Sequence, residues 1–188
     1  IKHKNLKKEY FVFLDENLAI HPDINLLKFK KWISKKKYYD DVRTFLHYLK
    51  KIYKVDIYIA AHPSTYKNYF DDFKLIKNKS AQLIKNCSLA IVHQSTSTNF
   101  PIIYKKQIIF ITTDEINKTH LGPTIKGLAT YLNTTPINLS ESYDLKLIKS
   151  KITNTKKYNK YMDSFIKHPQ CIQKDIGLML KNNFQNKL

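Results

Sequence analysis

The chain has 188 residues, 43% hydrophobic and 13% aromatic, so it can bury one sizeable core and is not wholly disordered. No apolar run approaches the ~18 residues that a membrane span needs, and the start, Ile1-Lys2-His3-Lys4, has neither an initiator methionine nor a signal-peptide pattern. We therefore expect a fragment, or a chain that lacks residues before Ile1. The net charge of +18 is compatible with nucleic acid, an anionic membrane surface or an acidic substrate as a partner, but solvated surface lysines are the interpretation that we favour.

The positive charge comes almost entirely from lysine. The sequence has 33 Lys and Arg residues against 15 Asp and Glu, and only Arg43 is an arginine. Arginine dominates base recognition and the bidentate binding of phosphate, so this composition disfavours a nucleic-acid-binding protein. The codon usage of an AT-rich genome also produces a lysine excess of this kind. Attraction to an anionic membrane surface is the main functional alternative.

The two cysteines, Cys87 and Cys171, stand far apart in the sequence and neither has a CxxC partner. This spacing predicts neither a disulfide framework nor a zinc site. Unpaired thiols are typical of a reducing compartment, so we expect a cytoplasmic protein.

The predicted elements alternate between short strands and helices. The strands are apolar, β-rich runs, and the helices carry apolar residues at a spacing near 3.6. In chain order they are a strand over 10–14, a loop over 19–37, a helix from Asp40 or Asp41 to Tyr53, a strand over 55–60, a helix over 80–86, a strand over 88–92, a short helix over 97–105, a strand over 107–111, a helical segment over 118–132 with a break near Gly122, a fifth strand over 136–139, a helix from 156 that Pro169 breaks, and a last helix over 172–184.

This alternation predicts an α/β protein with a single Rossmann-like domain, in which helices flank a parallel sheet. We place that domain at 1–153 and assign 154–188 to C-terminal helices. The chain contains neither GxGxxG nor GxxxxGK[ST]. The usual dinucleotide-binding site and a P-loop are therefore not predicted.

His62-Pro63 follows the predicted strand over 55–60. Proline ends the strand, so His62 is expected at the carboxyl edge of the sheet, where open α/β folds bind ligands. An imidazole there can hydrogen-bond a phosphate oxygen or protonate a leaving group. The ordinary alternative is a surface turn, which is how we interpret the similar pairs His21-Pro22 and His168-Pro169.

The segment His93-Gln94-Ser95-Thr96-Ser97-Thr98 follows the next predicted strand and leads into a helix. Helix starts prefer Ser and Thr as caps, and capping alone needs only one or two of them. The remaining hydroxyls and backbone N–H groups form a favourable place for an anion. Because both segments end neighbouring strands, we expect them to form two walls of one phosphate site.

The stretches IAAHPSTY and LIKNCSLAIVHQSTSTNFPIIYKKQIIFIT resemble the C-terminal, donor-binding half of GT-B-type bacterial glycosyltransferases. The similarity is closest to sialyltransferase-like enzymes and to enzymes of capsule and lipooligosaccharide synthesis, which have an HP motif and a downstream serine motif. It covers about 55–112 well and the flanks loosely. The resemblance implies half of a GT-B fold, with 154–188 packing on the domain or crossing to a missing N-terminal domain.

By this resemblance, His62 contacts the donor phosphate and assists departure of the nucleotide, and Ser95, Thr96 and Ser97 hold the phosphate. The implied donor is a nucleotide sugar such as a CMP-sugar, with no metal and no other cofactor. The chain has no DxD cluster of carboxylates. As weaker candidates for nucleotide contacts we name His93, Thr113 and Asp114.

Asp15 and Glu16 end the first predicted strand and are candidates for an acid or base. The interpretation that we favour is a pair of loop carboxylates near lysines. In the family that the chain resembles, the acidic base lies in the N-terminal domain, which we do not expect in a chain of this length. We therefore expect that the fragment binds donor and is inactive alone.

These observations together predict a glycosyltransferase of bacterial surface-polysaccharide synthesis, or its donor-binding domain, which transfers a sugar such as sialic acid from a nucleotide donor without metal. Its expected partners are the nucleotide sugar, a glycan or glycolipid acceptor, and an anionic membrane at the inner face of the bacterial inner membrane. One alternative is a polyol-phosphate transferase that uses a CDP-polyol. Another is a basic nucleic-acid-binding module.

Overall fold

The computed structural model describes residues 9–21, 33–143, 154–167 and 170. Its strands are β1 (Tyr10–Leu14), β2 (Asp56–Ala60), β3 (Lys74–Ile76), β4 (Leu89–Val92), β5 (Gln107–Thr112) and β6 (Ile137–Asn138). Its helices are α1 (Lys35–Tyr53), α2 (Ser80–Asn86), α3 (Asn99–Ile103), α4 (Asp114–Asn117), α5 (Leu121–Tyr131) and α6 (Thr155–Tyr161), with a 3₁₀ turn at Thr96–Thr98 and a π turn at Met162–Ile166.

All six strands run parallel, in the order β3-β2-β1-β4-β5-β6. This is the strand order of the Rossmann fold, which reverses direction between β1 and β4. The prediction of one Rossmann-like α/β domain is confirmed. The central strands are buried at consecutive positions, as expected when both faces of a parallel sheet are covered. Val12, Phe13, Ile59, Ile91 and Ile109 are fully buried there.

The sequence analysis missed β3, which spans only three residues at the sheet edge and is exposed or half-buried. Its signal is weak because one face of an edge strand meets solvent. The predicted strands elsewhere match the structure to within about two residues, the usual uncertainty of strand ends.

Helix α1 begins at Lys35 and not at Asp40 or Asp41. The earlier start has a packing cause, because Tyr38 and Tyr39 lie in its first turns and both are buried. The carboxylate of Glu115 accepts the backbone N–H of Ser34 at 2.7 Å and so satisfies a donor at the helix start. A long-range contact that the local pattern does not contain therefore helps to set this boundary.

The helical segment over 118–132 breaks at 118–120 and not at Gly122. Gly122 lies inside α5, where a Cβ atom would come within 2.7 Å of the Asn117 backbone. Pro123 is in the first turn of α5, where a missing N–H removes no helical bond. Gly122 therefore allows α5 to pack closely against the Asn117 backbone, and Pro123 is a residue of the helix start.

Helix α6 packs on the domain through two tyrosines. Tyr158 is buried and donates to the Lys106 carbonyl at 2.9 Å, and Tyr161 donates to Asn99 Oδ1 at 3.2 Å. The predicted last helix over 172–184 lies outside the described residues, and the boundary at 153/154 stays a prediction. No helix in the described part of the chain has both the length and the apolarity of a membrane span.

Candidate functional site

The buried polar and charged side chains of the described residues all lie at the carboxyl ends of the strands. They follow or end β1, β2, β4 and β5, and they are Asp15, Glu16, Asn17, Thr65, His93, Thr98, Thr112 and Thr113. Burying a polar group is unfavourable unless it is hydrogen-bonded, so such a concentration needs a dense network of partners. Among the described residues, buried polar groups are therefore concentrated at this edge of the sheet.

Two side chains fill the space at the ends of β1 and β4, where the strand order reverses direction. Tyr38, from the start of α1, is 1% exposed, and its hydroxyl lies 3.0 Å from His93 Nε2. The other ring nitrogen of His93 lies 2.8 Å from the Ile111 carbonyl. A carbonyl can only accept, so Nδ1 carries the proton and Nε2 accepts from Tyr38.

His93 is therefore not placed to bind nucleotide through its side chain. It is fully buried, both ring nitrogens are bonded within the protein, and burial lowers its pKa to about 4. The His93 side chain therefore has a structural role, in contrast to the prediction that it contacts the nucleotide. Its neutral ring joins α1 to β4 and β5 beneath the sheet edge.

Asp15 connects the end of β1 to the loop that follows β2. Its two carboxylate oxygens accept the Asn17 N–H at 2.9 Å and the Thr65 hydroxyl at 3.1 Å, and the backbone N–H of His62 also donates to it. Burial raises the pKa of Asp15 in spite of these bonds. His62 lowers that pKa, so the two groups attract when both are charged.

Glu16 connects the end of β1 to the loop that follows β4. Its Oε1 accepts the Gln94 N–H at 2.7 Å, and the His93 backbone and Ser95 hydroxyl also bond to its carboxyl group. Burial raises the pKa of Glu16 to about 8. At neutral pH this side chain is therefore mostly an uncharged acid.

The favoured interpretation of Asp15 and Glu16 as loop carboxylates near lysines is wrong. They are only 5% and 7% exposed, and the groups that shift their pKa are hydrogen-bond donors, His62 and, for Glu16, the neighbouring Asp15, with no lysine among them. Asp15 bonds to the loop after β2, and Glu16 bonds to the loop after β4.

His62 lies above this buried layer and is half-buried. Its Nδ1 accepts the Ser64 N–H at 3.2 Å and lies 2.7 Å from the Ser64 hydroxyl. Because a backbone N–H can only donate, the proton of the neutral ring is on Nε2. The Ser64 hydroxyl also accepts from Asn17 Nδ2 at 3.2 Å, which connects His62 to the end of β1.

Ser95, Thr96 and Ser97 have different surroundings. Ser95 caps the 3₁₀ turn with Thr98 in a capping box, and its hydroxyl also bonds to Glu16. Thr96 is exposed and Ser97 is half-buried. The hydroxyls of Thr96 and Ser97 are therefore better placed than that of Ser95 to meet a ligand from solvent.

Thr113 and Asp114 belong to the start of α4. The buried Thr113 caps the helix, because its hydroxyl accepts the Ile116 N–H at 3.2 Å. Asp114 is exposed and accepts from Asn138 Nδ2 at 2.7 Å. The Thr113 hydroxyl thus caps the helix and Asp114 lies at the outer end of the same edge, and their nucleotide contacts stay a prediction.

Sequence reasoning missed three members of this network: Tyr38, Asn17 and Thr65. Asn17 has a φ of 54°, a left-handed conformation that asparagine tolerates better than most residues. An Asn directly after two acidic residues at a strand end is the signal that could have found it. Tyr38 and Thr65 carry no comparable local signal, because their partners come from distant segments.

No group of three or more His, Cys, Asp or Glu side chains in the described ranges could hold a metal ion. Metal-independent chemistry stays a prediction, and Cys171 lies outside the described residues. Cys87 is buried, and burial raises the pKa of its thiol to about 11.

Comparison with known proteins shows only remote similarity to solved structures. No protein-family profile matches the chain, and no curated protein matches it. Among solved structures, the chain is similar to the UDP-GlcNAc 2-epimerase of Methanocaldococcus jannaschii in complex with UDP-GlcNAc and UDP. The TM-score is 0.48 with 14% sequence identity, over 83% of this chain and 44% of the epimerase. The match thus covers less than half the length of that enzyme.

Proposed function

We propose that the carboxyl edge of the sheet binds the phosphate of a nucleotide sugar, and that the chain is the donor-binding domain of a glycosyltransferase. The observation that carries this proposal is the two-layered polar edge. A buried layer of Asp15, Glu16 and His93 supports an outer layer that contains His62 and Thr96. Open α/β sheets with this strand order bind ligands at that position.

The outer layer suits a phosphate. In its neutral form the His62 ring carries its proton on Nε2, and Thr96 and Ser97 provide hydroxyl donors on the loop after β4. Glu16 lies beneath that loop, and its raised pKa keeps it mostly uncharged at neutral pH. An uncharged acid in this place supports the loop without repelling an anion.

The transfer breaks the bond between the sugar's anomeric carbon and the donor phosphate oxygen, which keeps the electron pair. An acceptor hydroxyl oxygen forms the new bond to that carbon and loses its proton to a base. Donation from His62 to the departing phosphate stabilises its growing negative charge. Asp15 and Glu16 are engaged inside the protein, so we assign the base to a separate domain, as the family resemblance implies.

Within this proposal the donor is a CMP-sugar, with sialic acid as the sugar and a bacterial surface glycan as the acceptor. The resemblance of the HP and serine motifs supports these finer assignments. The lysine excess supports attraction to an anionic membrane surface. The CDP-polyol alternative would use the same phosphate contacts, so only the choice of donor separates the two.

Calorimetric titration with CMP, CDP, UDP and GDP tests the proposal. We expect CMP to bind, and His62→Ala to weaken that binding about tenfold, because a hydrogen bond to a charged group is lost. The double variant Thr96→Ala/Ser97→Ala should also weaken it. Ser95→Ala is less informative because that hydroxyl bonds to Glu16. His47→Ala, at an exposed histidine on α1, is the matched control and should leave the affinity for CMP unchanged.

Two results would overturn the assignment: binding of none of the four nucleotides, or equal CMP affinity in the wild type and in the His62 and Thr96/Ser97 variants. If a CDP-polyol binds and a CMP-sugar does not, the polyol-phosphate alternative replaces the sugar donor. Salt-dependent binding to an oligonucleotide, lost uniformly as lysines are removed, would instead favour the nucleic-acid alternative.

A further inference from the structure

A shallow groove lies between the start of α1 and the turn before β3. Its volume is about 230 Å³. Three cationic side chains, two tyrosines and one carboxylate line it: Lys35, Lys36, Arg43, Tyr39, Tyr69 and Asp40. We refer to these six residues, together with Tyr66 and Lys67, whose side chains lie against Tyr69 at its edge, as the lysine–tyrosine groove. Its volume is below the roughly 300–1,000 Å³ of common ligand pockets, so it fits one ring-sized group.

Arg43 is already neutralised within the protein. It pairs with Asp40 on its own helix and with Asp71 at 3.0 Å, and it also donates to the Tyr69 carbonyl at 3.4 Å. These bonds hold the loop before β3 against α1. The arginine and the aspartate of the groove are therefore structural, and the lysines supply its available charge.

The lysines meet phenols, which are uncharged at neutral pH. Lys35 Nζ lies 3.1 Å from the Tyr69 hydroxyl and 4.3 Å from the centre of its ring, and Lys67 Nζ lies 5.7 Å from the same centre. Its hydrogen bonds with Tyr66 and with Lys35 lower the pKa of Tyr69. A neutral phenol orients an ammonium group without cancelling its charge, so the positive charge remains open to an anion.

The aromatic rings hold these lysines in place. Tyr39 and Tyr69 stack with ring centres 4.7 Å apart, and the Tyr69 hydroxyl donates to that of Tyr66 at 3.1 Å. Tyr66 itself is 77% exposed. The groove thus combines two lysines that lie against the Tyr69 ring with the exposed ring of Tyr66 beside them.

The groove shares a wall with the candidate phosphate site. The Tyr39 hydroxyl donates to Asn17 Oδ1 at 3.4 Å, and Asn17 Nδ2 donates to the Ser64 hydroxyl, which lies 2.7 Å from His62 Nδ1. One short hydrogen-bonded path therefore joins the two places. The groove is thus linked to His62 through Asn17 and Ser64.

We propose that the lysine–tyrosine groove binds the anionic ring of an acidic saccharide, with its carboxylate or phosphate group between Lys35 and Lys67 and a sugar face against Tyr66. The role of this saccharide as the acceptor rests on the proposed function, because only then does a donor occupy the neighbouring site. Saccharide binding by itself does not depend on that function. A nucleic acid is disfavoured because one ring-sized groove offers no row of contacts for successive phosphates.

The test compares 3′-sialyllactose with lactose, a neutral sugar that lacks the carboxylate, in NMR titrations of the full chain. We expect binding of the acidic sugar only. Lys35→Gln should weaken it about fivefold through the loss of one charged hydrogen bond, and Lys35→Gln/Lys67→Gln more strongly. Tyr66→Ala should weaken it as well. Lys51→Gln, near the exposed far end of the same helix, is the matched control and should leave the affinity unchanged.

A glucose 6-phosphate titration tests whether the anion can also be a phosphate, and an inorganic phosphate titration tests whether the sugar ring contributes. Equal binding of lactose and 3′-sialyllactose would overturn the proposal. So would equal losses in the Lys35 and Lys51 variants, or tighter binding of a single-stranded oligonucleotide that the same groove variants abolish. A parallel CMP titration separates the two proposals, because the groove variants should leave CMP affinity intact. Loss of CMP binding alone would count only against the nucleotide-sugar site.

Discussion

His62 and His93 are both first polar residues beyond a strand, yet they have opposite environments. His62 is half-buried at the surface of the cleft, and its protonated Nε2 is the nitrogen turned towards a ligand in our proposal. His93 is 0% exposed, and both its nitrogens are bonded to protein groups. The same residue type at the same kind of strand end therefore serves as an outer contact in one wall and as an internal support in the other.

The cause of the difference is what lies over each strand end. Tyr38 of α1 covers the end of β4 and fills the space beside His93. The end of β2 is followed by Pro63 and Ser64, both exposed, so the ring of His62 stays near the surface. A side chain at a strand end can face a ligand only where the neighbouring elements leave it uncovered.

Substituting each histidine in turn should give the largest difference in the free energy of unfolding. His93→Ala should lower the free energy of unfolding by about 3–5 kcal/mol, because it leaves a cavity and unpairs the Tyr38 hydroxyl and the Ile111 carbonyl. His62→Ala, at a half-buried position, should cost less than about 1 kcal/mol. Urea unfolding of both variants measures these costs, and equal losses would contradict the division into a supporting and an outer histidine.

The pH dependence of stability should separate Glu16 from His93. The pKa of Glu16 rises from 4.5 to about 8 on folding, so the folded state keeps a proton that the unfolded state releases, and the free energy of unfolding falls as pH rises through this interval. His93, with a pKa lowered from 6.5 to about 4, acts in the opposite sense: stability falls as pH drops from 6.5 to 4.

Glu16→Gln isolates the first effect, because the amide oxygen can still accept the Gln94 N–H but cannot titrate. Relative to this variant, the wild type should lose about 3 kcal/mol of stability between pH 5 and pH 8. Urea unfolding at pH 5, 6, 7 and 8 gives the comparison. A constant difference between the two proteins across this range would show that Glu16 does not hold its proton when folded.

The smallest expected effect is at Ser64, which orients the His62 ring. Ser64→Ala removes the hydroxyl 2.7 Å from Nδ1 but keeps the backbone N–H bond. We expect CMP affinity to fall about threefold and the free energy of unfolding to change by less than about 0.5 kcal/mol. Ser80→Ala, at the start of α2, is a serine control that should leave CMP affinity unchanged. Similar CMP affinity in all three proteins would contradict an orienting role for Ser64.

Much of the fold follows from local patterns in the sequence. The apolar runs before Asp15, His62 and His93 identify β1, β2 and β4, because strands buried on both faces need continuous apolar residues. The short edge strand β3 was missed, since it is only partly buried and its pattern is weak. The start of α1 was also misplaced, because Tyr38 and Tyr39 are buried by contacts far away in the sequence.

The position of the polar edge was predictable from the sequence, but the burial of its side chains was not. A polar residue after an apolar run marks the end of a strand whatever covers it later, so Asp15, His62 and Ser95 could be placed at one edge. The prediction that Asp15 and Glu16 are loop carboxylates failed because burial depends on neighbouring segments. Loops after β2 and β4 close over both carboxyl groups and supply their hydrogen bonds.

The parallel α/β class and the strand ends that carry polar residues follow from local sequence patterns, because both depend on apolar runs and on the residues that interrupt them. The position of β1 between β2 and β4, which lets Asp15 and Glu16 support a loop on either side, arises only when the strands pair. Long-range packing also determines which histidine is covered. The packing of α1 over the sheet edge buries His93 and leaves His62 near the surface.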